Sequence, residues 1–422
     1  MHSQPQNLLR LLLGGLLLGG LSLISAAAGA QRVAPATDAL EEQAAARVAA
    51  AVCSKRVVLL GELPEHGEAR GFGVKARVVE RLVASCGFRA VLFEAGSYDF
   101  FGVERAIATP ARASADSLEV ALARAIGGLW WTRELAEWRR WLVQEAVAGR
   151  VAIGGLDDQP SATAAYARAT LPGLVGAAAP PARATECQEA VARHLGWGYT
   201  ATLPYDSTER TRLADCTRLA AARAVTRTSI ASPAKRRTPD EVMLDNLASY
   251  FARERGAAER GAAATPDRDE VMARNLAWWS ERLPNDAKIV VWTATTHAAR
   301  APGAQPVLPL GVPPLGARLA ERWGDGLAVI GFTALQGQWS RAGRPSQPLA
   351  PLPPNALEAR ALAERAAGDS AGWAYLDQAT LRALGSVPSR LFGKVATTDW
   401  STAFDGVLVI RDEAPPTFEP RR

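Results

Sequence analysis

The chain has 422 residues, an apolar fraction of 48% and a net charge of +5. That length and composition support a substantial buried core, in one large or two modest domains. The arginines are scattered among acids, with no basic stripe interleaved with aromatics, which argues against a nucleic-acid partner and leaves coding bias as the reason for the heavy Ala and Arg usage.

The N-terminus carries Arg10, then a Leu/Gly-rich run from Leu11 to Ile24, then Ala26-Ala27-Ala28-Gly29-Ala30. Small residues at Ala28 and Ala30 before Gln31 read as a signal peptide over residues 1–30. An uncleaved anchor is the alternative, because Leu11 to Ala30 is just long enough to span a bilayer. No cysteine follows the run, and no later segment is apolar enough to span. The expectation is a periplasmic or secreted protein with no membrane contact after cleavage.

Thr37 to Ser54 has Leu40, Ala44, Val48 and Val52 at helical spacing. Next, Val57-Val58-Leu59-Leu60 stops in Gly61-Glu62-Leu63-Pro64-Glu65-His66-Gly67, the pattern of a buried strand running into a loop. Gly71 to Ser85 is helical, with Val74, Val78, Leu82, Val79 and Val83 as its apolar stripe and Lys75 in its first turn. Ala90-Val91-Leu92-Phe93 is a second strand, ending in Glu94 and followed by a polar loop, Ala95 to Asp99, that includes Tyr98. Two apolar strands around one amphipathic helix form a βαβ unit whose strands lie parallel and close together. Their carboxyl ends face one crevice, where open α/β sheets bind ligands. Glu62, His66 and Glu94 therefore converge, although 32 positions separate the first from the last. A histidine flanked by carboxylates at such an edge is a candidate for proton transfer.

Short helices follow to Gly127, then a helix from Trp131 to Val147, and a third strand, Val151 to Leu156, ending in Asp157. Residues 160–266 contain helix formers and no strand pattern, which reads as a helical insertion in an α/β domain made of 31–159 and 267–415, with a tail at 416–422. Within and after it, Asp240-Glu241-Val242-Met243 with Asn246 recurs as Asp269-Glu270-Val271-Met272 with Asn275, offset by 29. A duplicated helix accounts for this. A fourth strand, Ala287 to Thr293, leads into Ala294-Thr295-Thr296-His297. Beyond it the pattern predicts a helix at Pro313–Trp323, a strand at Leu327–Thr333, and a turn-rich stretch from Gln336 to Leu349. A helix at Asn355–Ala367 and strands at Trp373–Leu376 and Gly406–Ile410 complete the chain. The fold class is α/β, a mostly parallel central sheet flanked by helices. Cys53, Cys86, Cys187 and Cys216 allow three pairings in an exported chain. Cys53–Cys86 and Cys187–Cys216 are favoured, because each pair flanks one supersecondary unit.

Gly61-Glu62, His66-Gly67, Lys75 and Phe93-Glu94 resemble the erythromycin esterase family, whose hallmark is a Gly-Glu-x-x-His-Gly loop after the first strand. The resemblance puts His66 on that family's essential histidine and Glu94 on its second-strand glutamate. Lys75 falls where many members have Arg. This chain has one extra residue between Glu62 and His66, so either the loop bulges or Glu65 takes over the role of Glu62. Arg268 and Asn275 match the family's Arg-x-x-x-Met-Ala-x-Asn helix. His297 matches the second histidine of a Trp-Ala-His-Asn-x-His segment, whose first histidine is here Ala294. The resemblance covers roughly Val57 to Pro415.

It implies a small-molecule ester or lactone substrate, attacked directly by water. His66 is the expected base, oriented by Glu62 or Glu65, and Glu94 positions the water or the base. His297 and Lys75 stabilise charge on the carbonyl oxygen. Arg268, Tyr98, Trp130 and Trp131 are expected around the substrate. No Gly-x-Ser-x-Gly elbow is present. No cofactor is expected, with two alternatives kept open. A divalent metal held by His66, His297 and carboxylates would supply its own water. A non-catalytic periplasmic binding protein would use His66 to hold an apolar ligand such as a tetrapyrrole.

Overall fold

A computed structural model describes residues 36–109, 114–161, 163–231, 236–258, 267–300, 312–363 and 372–420. The expected signal peptide lies outside the described residues.

The strands are β1 (Val57–Glu62), β2 (Phe88–Gly96), β3 (Ala152–Asp157), β4 (Lys288–Ala294) and β5 (Leu327–Trp339). They continue as β6 (Gln347–Pro348), β7 (Trp373–Asp377), β8 (Ser386–Ser389), β9 (Ala396–Asp399) and β10 (Gly406–Glu413). The central sheet runs β3-β2-β4-β1-β5-β10-β7, with β6 added to β5. Every pairing from β3 to β10 is parallel, and β7 closes the edge antiparallel to β10. The first two strands are therefore parallel but not neighbours, because β4 lies between them. Glu62 pairs with Ala294, and Phe93 with Trp292. The ends of β1 and β2 consequently stand two strand spacings apart, about 9–10 Å.

Side chains alternate between two cores. Val57 and Leu59 pack on one face, and Val58 and Leu60 on the other. Both faces are covered, as a parallel sheet requires. One layer contains α1 (Ala36–Val52) and α2 (Ala69–Cys86). Next in the chain, α3 (Ser97–Ile107) contributes to both cores, while α4 (Ala115–Ala125) and α5 (Ala136–Val147) return to the first layer. The other layer holds α6 (Ala165–Ala178), α7 (Ala184–Leu195), α8 (Ser207–Ala231), α9 (Pro239–Ala258) and α10 (Arg268–Arg282). Also on that side are α11 (Thr295–Ala298), α12 (Leu315–Trp323), α13 (Leu357–Ala363) and α14 (Gln378–Leu384). Between β3 and β4 the described residues thus contain helices and turns, of which α10 packs against β3 while α6 to α9 join the same core through α3, α10 and one another.

Several boundaries differ from the sequence reading. Gly96 belongs to β2 and Ser97 opens α3, so Ala95–Asp99 is not a loop. The helix expected from Trp131 starts at Ala136, because Thr132 instead makes an antiparallel bridge with Phe418. β5 runs six residues past Thr333, its polar end paired with Asp412 and Glu413 of β10. α13 begins at Leu357, and residues 364–371 lie outside the described set. The β8–β9 hairpin was not expected.

α2 ends at Gly87, whose φ of +76° lets its amide reach the carbonyl of Leu82. That turn places Cys86 beside Cys53, and the structure has both expected disulfides, Cys53–Cys86 and Cys187–Cys216. The first closes a 33-residue separation that spans β1 and α2. Replacing both its cysteines with serine should lower the unfolding free energy by about 3–4 kcal/mol, from the loop entropy restored to the unfolded chain. Urea titration of the oxidised protein and the double variant checks this. An unchanged midpoint would show that the bridge contributes nothing.

Candidate active site

Two hydrogen-bonded clusters stand at the carboxyl ends of β1, β2, β3 and β4. The first is built on Glu62, the last residue of β1, which is only 1% exposed. Its Oε1 accepts from His66 Nδ1 at 2.7 Å and from the Trp130 indole at 2.6 Å. Its Oε2 accepts from Lys75 Nζ at 2.7 Å and from the Trp292 indole at 2.8 Å. Burial alone would raise the Glu62 pKa, but Lys75 and the His66 hydrogen bond outweigh it and hold the carboxyl below its usual value. Burial pulls Lys75 down from the ordinary lysine range against the pull of Glu62.

The extra loop residue is absorbed by the backbone. The His66 amide closes a turn onto Leu63 at 3.0 Å, and His66 itself adopts a left-handed φ of +52°. Gly67 follows where a Cβ would sit 2.4 Å from the Ser340 carbonyl oxygen, so only glycine fits. The bulged loop keeps Glu62 as the partner of His66. Glu65 instead points its carboxylate at Gly393. With Nδ1–H donated to an ionised carboxylate, the His66 lone pair is on Nε2. No described residue hydrogen-bonds that atom, and the Trp130 ring stands edge-on to the imidazole, 5.5 Å between centroids.

The second cluster is built on Glu94. Its Oε2 accepts from Thr293 Oγ1 and the Ala294 amide, both at 2.8 Å. Its Oε1 lies 3.0 Å from Arg268 Nη2 and 3.2 Å from His297 Nε2. Arg268 also grips Asp157 at the end of β3, at 2.7 Å through Nη2 and 3.1 Å through Nε. Asp269 accepts from His297 Nδ1 at 2.8 Å. Burial would raise Glu94, yet His297 and Arg268 hold it well below the usual carboxylate range. Burial would likewise lower His297, but Glu94 and Asp269 push it up to about 10. A neutral His297 could accept from Arg268 Nη1 at 3.0 Å, whereas an imidazolium cannot. Three carboxylates against a single guanidinium favour the imidazolium, whose Nε2 then donates to Glu94, so that the Arg268 Nη1 contact with the ring is not a hydrogen bond. The Arg268 side chain is 34% exposed and is the accessible cation of the cluster.

The structure thus joins His66 to Glu62, and His297 and Arg268 to Glu94. Among the described residues no hydrogen bond or ion pair joins His66 to Glu94, so the expected convergence is met by contact only for Glu62 and His66. Other expected site residues lie elsewhere. Lys75 is fully buried behind Glu62 and stacks over Trp292 at 4.4 Å, so it holds Glu62 instead of facing the crevice. Its position four before Val79 puts it on the packed face of α2. Tyr98 is 1% exposed and donates to the Asp158 carbonyl at 2.7 Å, and Trp131 bonds Glu419 at 2.8 Å. Cavities of 570 and 330 Å³ open beside α2 and beside Trp131, and neither is lined by Glu62, His66, Glu94, Arg268 or His297. Among the described residues no group of three or more His, Cys, Asp and Glu is arranged to hold a metal ion. Both nitrogens of His297 and both oxygens of Glu94 are already engaged within the protein.

Sequence reading missed Asp269 and Trp292, and it placed Trp130 around the substrate where the structure has it donating to Glu62. The internal repeat held a signal for the first. Asp240 is an exposed partner of Arg105, while its counterpart Asp269 is buried on His297. The two repeat asparagines are both buried, Asn275 on the Leu156 carbonyl at 2.7 Å and Asn246 on Ser97 at 2.9 Å.

A family model described as erythromycin esterase matches residues 83–413. Similar solved structures include a Bacillus cereus protein at 16% identity and a TM-score of 0.65, covering 92% of this chain and all of that one. A histidine-to-asparagine mutant of the erythromycin esterase EreC, in its open conformation, has 15% identity and a TM-score of 0.62, with 89% and 95% covered. A succinoglycan biosynthesis protein has 16% identity and a TM-score of 0.60, with 88% and 92% covered. These likenesses establish the shared fold. No curated protein matches the chain.

The raised His297 pKa has a consequence for stability. An unfolded imidazole titrates near 6.5 and the folded one at about 10, so its stabilisation is complete below the first value and lost as pH rises through the second. Denaturant midpoints should fall across that window in the wild type and be much flatter in His297→Asn. Parallel slopes would show that the ring is not held as an imidazolium.

Proposed function

The chain belongs to the erythromycin esterase family, and on that premise we propose that it hydrolyses a carboxylic ester or lactone, with His66 as the base that activates water. The observation that carries this reading is the Glu62–His66 pair. Nδ1 is tied to an ionised carboxylate while Nε2 has no partner among the described residues. An imidazole so held presents a fixed lone pair, and its carboxylate stabilises the imidazolium formed on proton transfer.

Water loses a proton to Nε2 as its oxygen adds to the ester carbonyl. Negative charge then gathers on the carbonyl oxygen, and Arg268, a cation with a partly exposed side chain, is the donor suited to meet it. Collapse of the intermediate expels the alcohol, which takes the proton back from His66. Glu94 has no free oxygen with which to position water. Its part is to fix Arg268 and His297, as Lys75 fixes Glu62. The two disulfides fit a periplasmic or secreted location.

His66→Ala should lower kcat by about 10²–10⁴-fold on an aryl ester or lactone that the wild type turns over, with little change in KM. Since Nε2 must be unprotonated, wild-type turnover should fall toward acid pH. Dialysis against a chelator should leave turnover intact, whereas a chelator-sensitive rate restored by a divalent metal would favour metal-bound water as the nucleophile. Full turnover by His66→Ala would remove the basis of the mechanism.

A further inference from the structure

The last described residues do not trail off the sheet. At the end of β10, Glu413 accepts from the amides of Arg70 at 2.7 Å and Gly71 at 3.1 Å, and the Ala414 carbonyl accepts from Ala69 at 2.9 Å. Those contacts fasten the first turn of α2, immediately after the loop that carries His66. The chain then crosses to the segment before α5. There the Thr417 carbonyl accepts from the Arg133 amide at 2.9 Å, Phe418 bridges Thr132, and the Glu419 amide donates to the Trp131 carbonyl at 3.1 Å. The Glu419 carboxylate accepts from the Trp131 indole and from Arg139, both at 2.8 Å. Arg139 is 1% exposed and also bonds the Thr132 carbonyl at 2.7 Å, so the contact is anchored in the protein interior. A segment with this many directed contacts is fixed to the body of the fold.

One residue before this pinned strip is Trp130, whose indole donates to Glu62 Oε1 and whose ring stands beside His66. We propose that residues 413–419 form a strap that positions the Glu62–His66 pair, acting through Trp130 on one side and through the start of α2 on the other. Trp130 is thereby a positioning residue. Its indole shares Glu62 Oε1 with the imidazole, so it sets both the direction of the carboxylate and the negative charge left for His66. Only the kinetic part of the test rests on the hydrolase reading.

The test compares the full chain with a chain ending at Ala414, with Glu419→Gln and with Trp130→Phe. Trp130→Phe and the shortened chain should each lower kcat by about 10- to 100-fold, with KM little changed, since the loss is one of alignment. In both, the acid limb of the pH–rate profile should move to higher pH, because a carboxylate with one donor fewer holds the imidazolium more strongly. Their combination should cost no more than either alone. Independently of any substrate, the Trp130 indole proton, assigned through Trp130→Phe, should resonate downfield in the full chain and move upfield in the shortened one. A shortened chain that melts as a folded protein and keeps the full-length kcat, profile and indole resonance would overturn the proposal. If the shortened chain does not fold, Glu419→Gln decides by the same readings, with a smaller loss in the same direction expected and an unmoved resonance overturning the strap. If the full chain turns over no ester, the hydrolase reading fails and the indole resonance alone judges the strap.

Discussion

A buried carboxylate with four donors is the constraint on which the rest of this structure depends. Removing an ionised Glu62 from water carries a cost of several kcal/mol, offset only when its oxygens are fully hydrogen-bonded and a counter-charge is near. The four donors come from separate parts of the chain. His66 lies in the loop after β1, Lys75 on α2, Trp130 ahead of α5 and Trp292 within β4. Satisfying one side chain therefore fixes the relative placement of a loop, a helix, a connecting segment and a neighbouring strand. Losing any donor would leave part of a buried charge unmet, so these elements are held together more tightly than packing alone would hold them.

The Glu94 cluster applies the same physics to another end. Glu62 has one full cation and one imidazole, which leaves the second nitrogen of that imidazole available for chemistry. Glu94, Asp157 and Asp269 between them hold Arg268 and His297, and both nitrogens of His297 are consumed. The first arrangement suits a base and the second a fixed positive charge. The second also reaches the helical layer. Asp158, next to Asp157, is buried and pairs with Arg253 of α9, so the helices between β3 and β4 are tied to the strand end that positions Arg268. Burial of Asp158 raises its pKa to about 6, against the pull of Arg253.

Much of this was legible in the residues. Strands that end abruptly in acids mark the carboxyl edge of the sheet, because the apolar run reports burial and the acid reports its limit. Glu62, Glu94 and Asp157 were all found that way. Strand order was not legible, since nothing local in Lys288–Ala294 says that it inserts between β1 and β2. The polar end of β5 was hidden for a related reason, because its partner is Asp412–Glu413 across the sheet and not its own hydrophobicity. Lys75 shows the limit of reading charge as exposure. Its spacing to Val79 and Val83 placed it on the buried face, and only the presence of Glu62 makes that tolerable. The tail at 416–422 carried no signal of its contacts, because the Glu419 carboxylate and the backbone of residues 417–419 find their partners in the segment that follows Trp130.

The central claim is that Glu62 is an ionised acceptor which dictates the tautomer of His66. Nitrogen NMR of imidazole-labelled protein, read at a pH where the ring is neutral, tests it directly. The account requires the proton of His66 on Nδ1 and a bare Nε2, with that preference abolished in Glu62→Gln. A His66 ring protonated on Nε2 in the wild type, or one exchanging freely between the two forms, would contradict it.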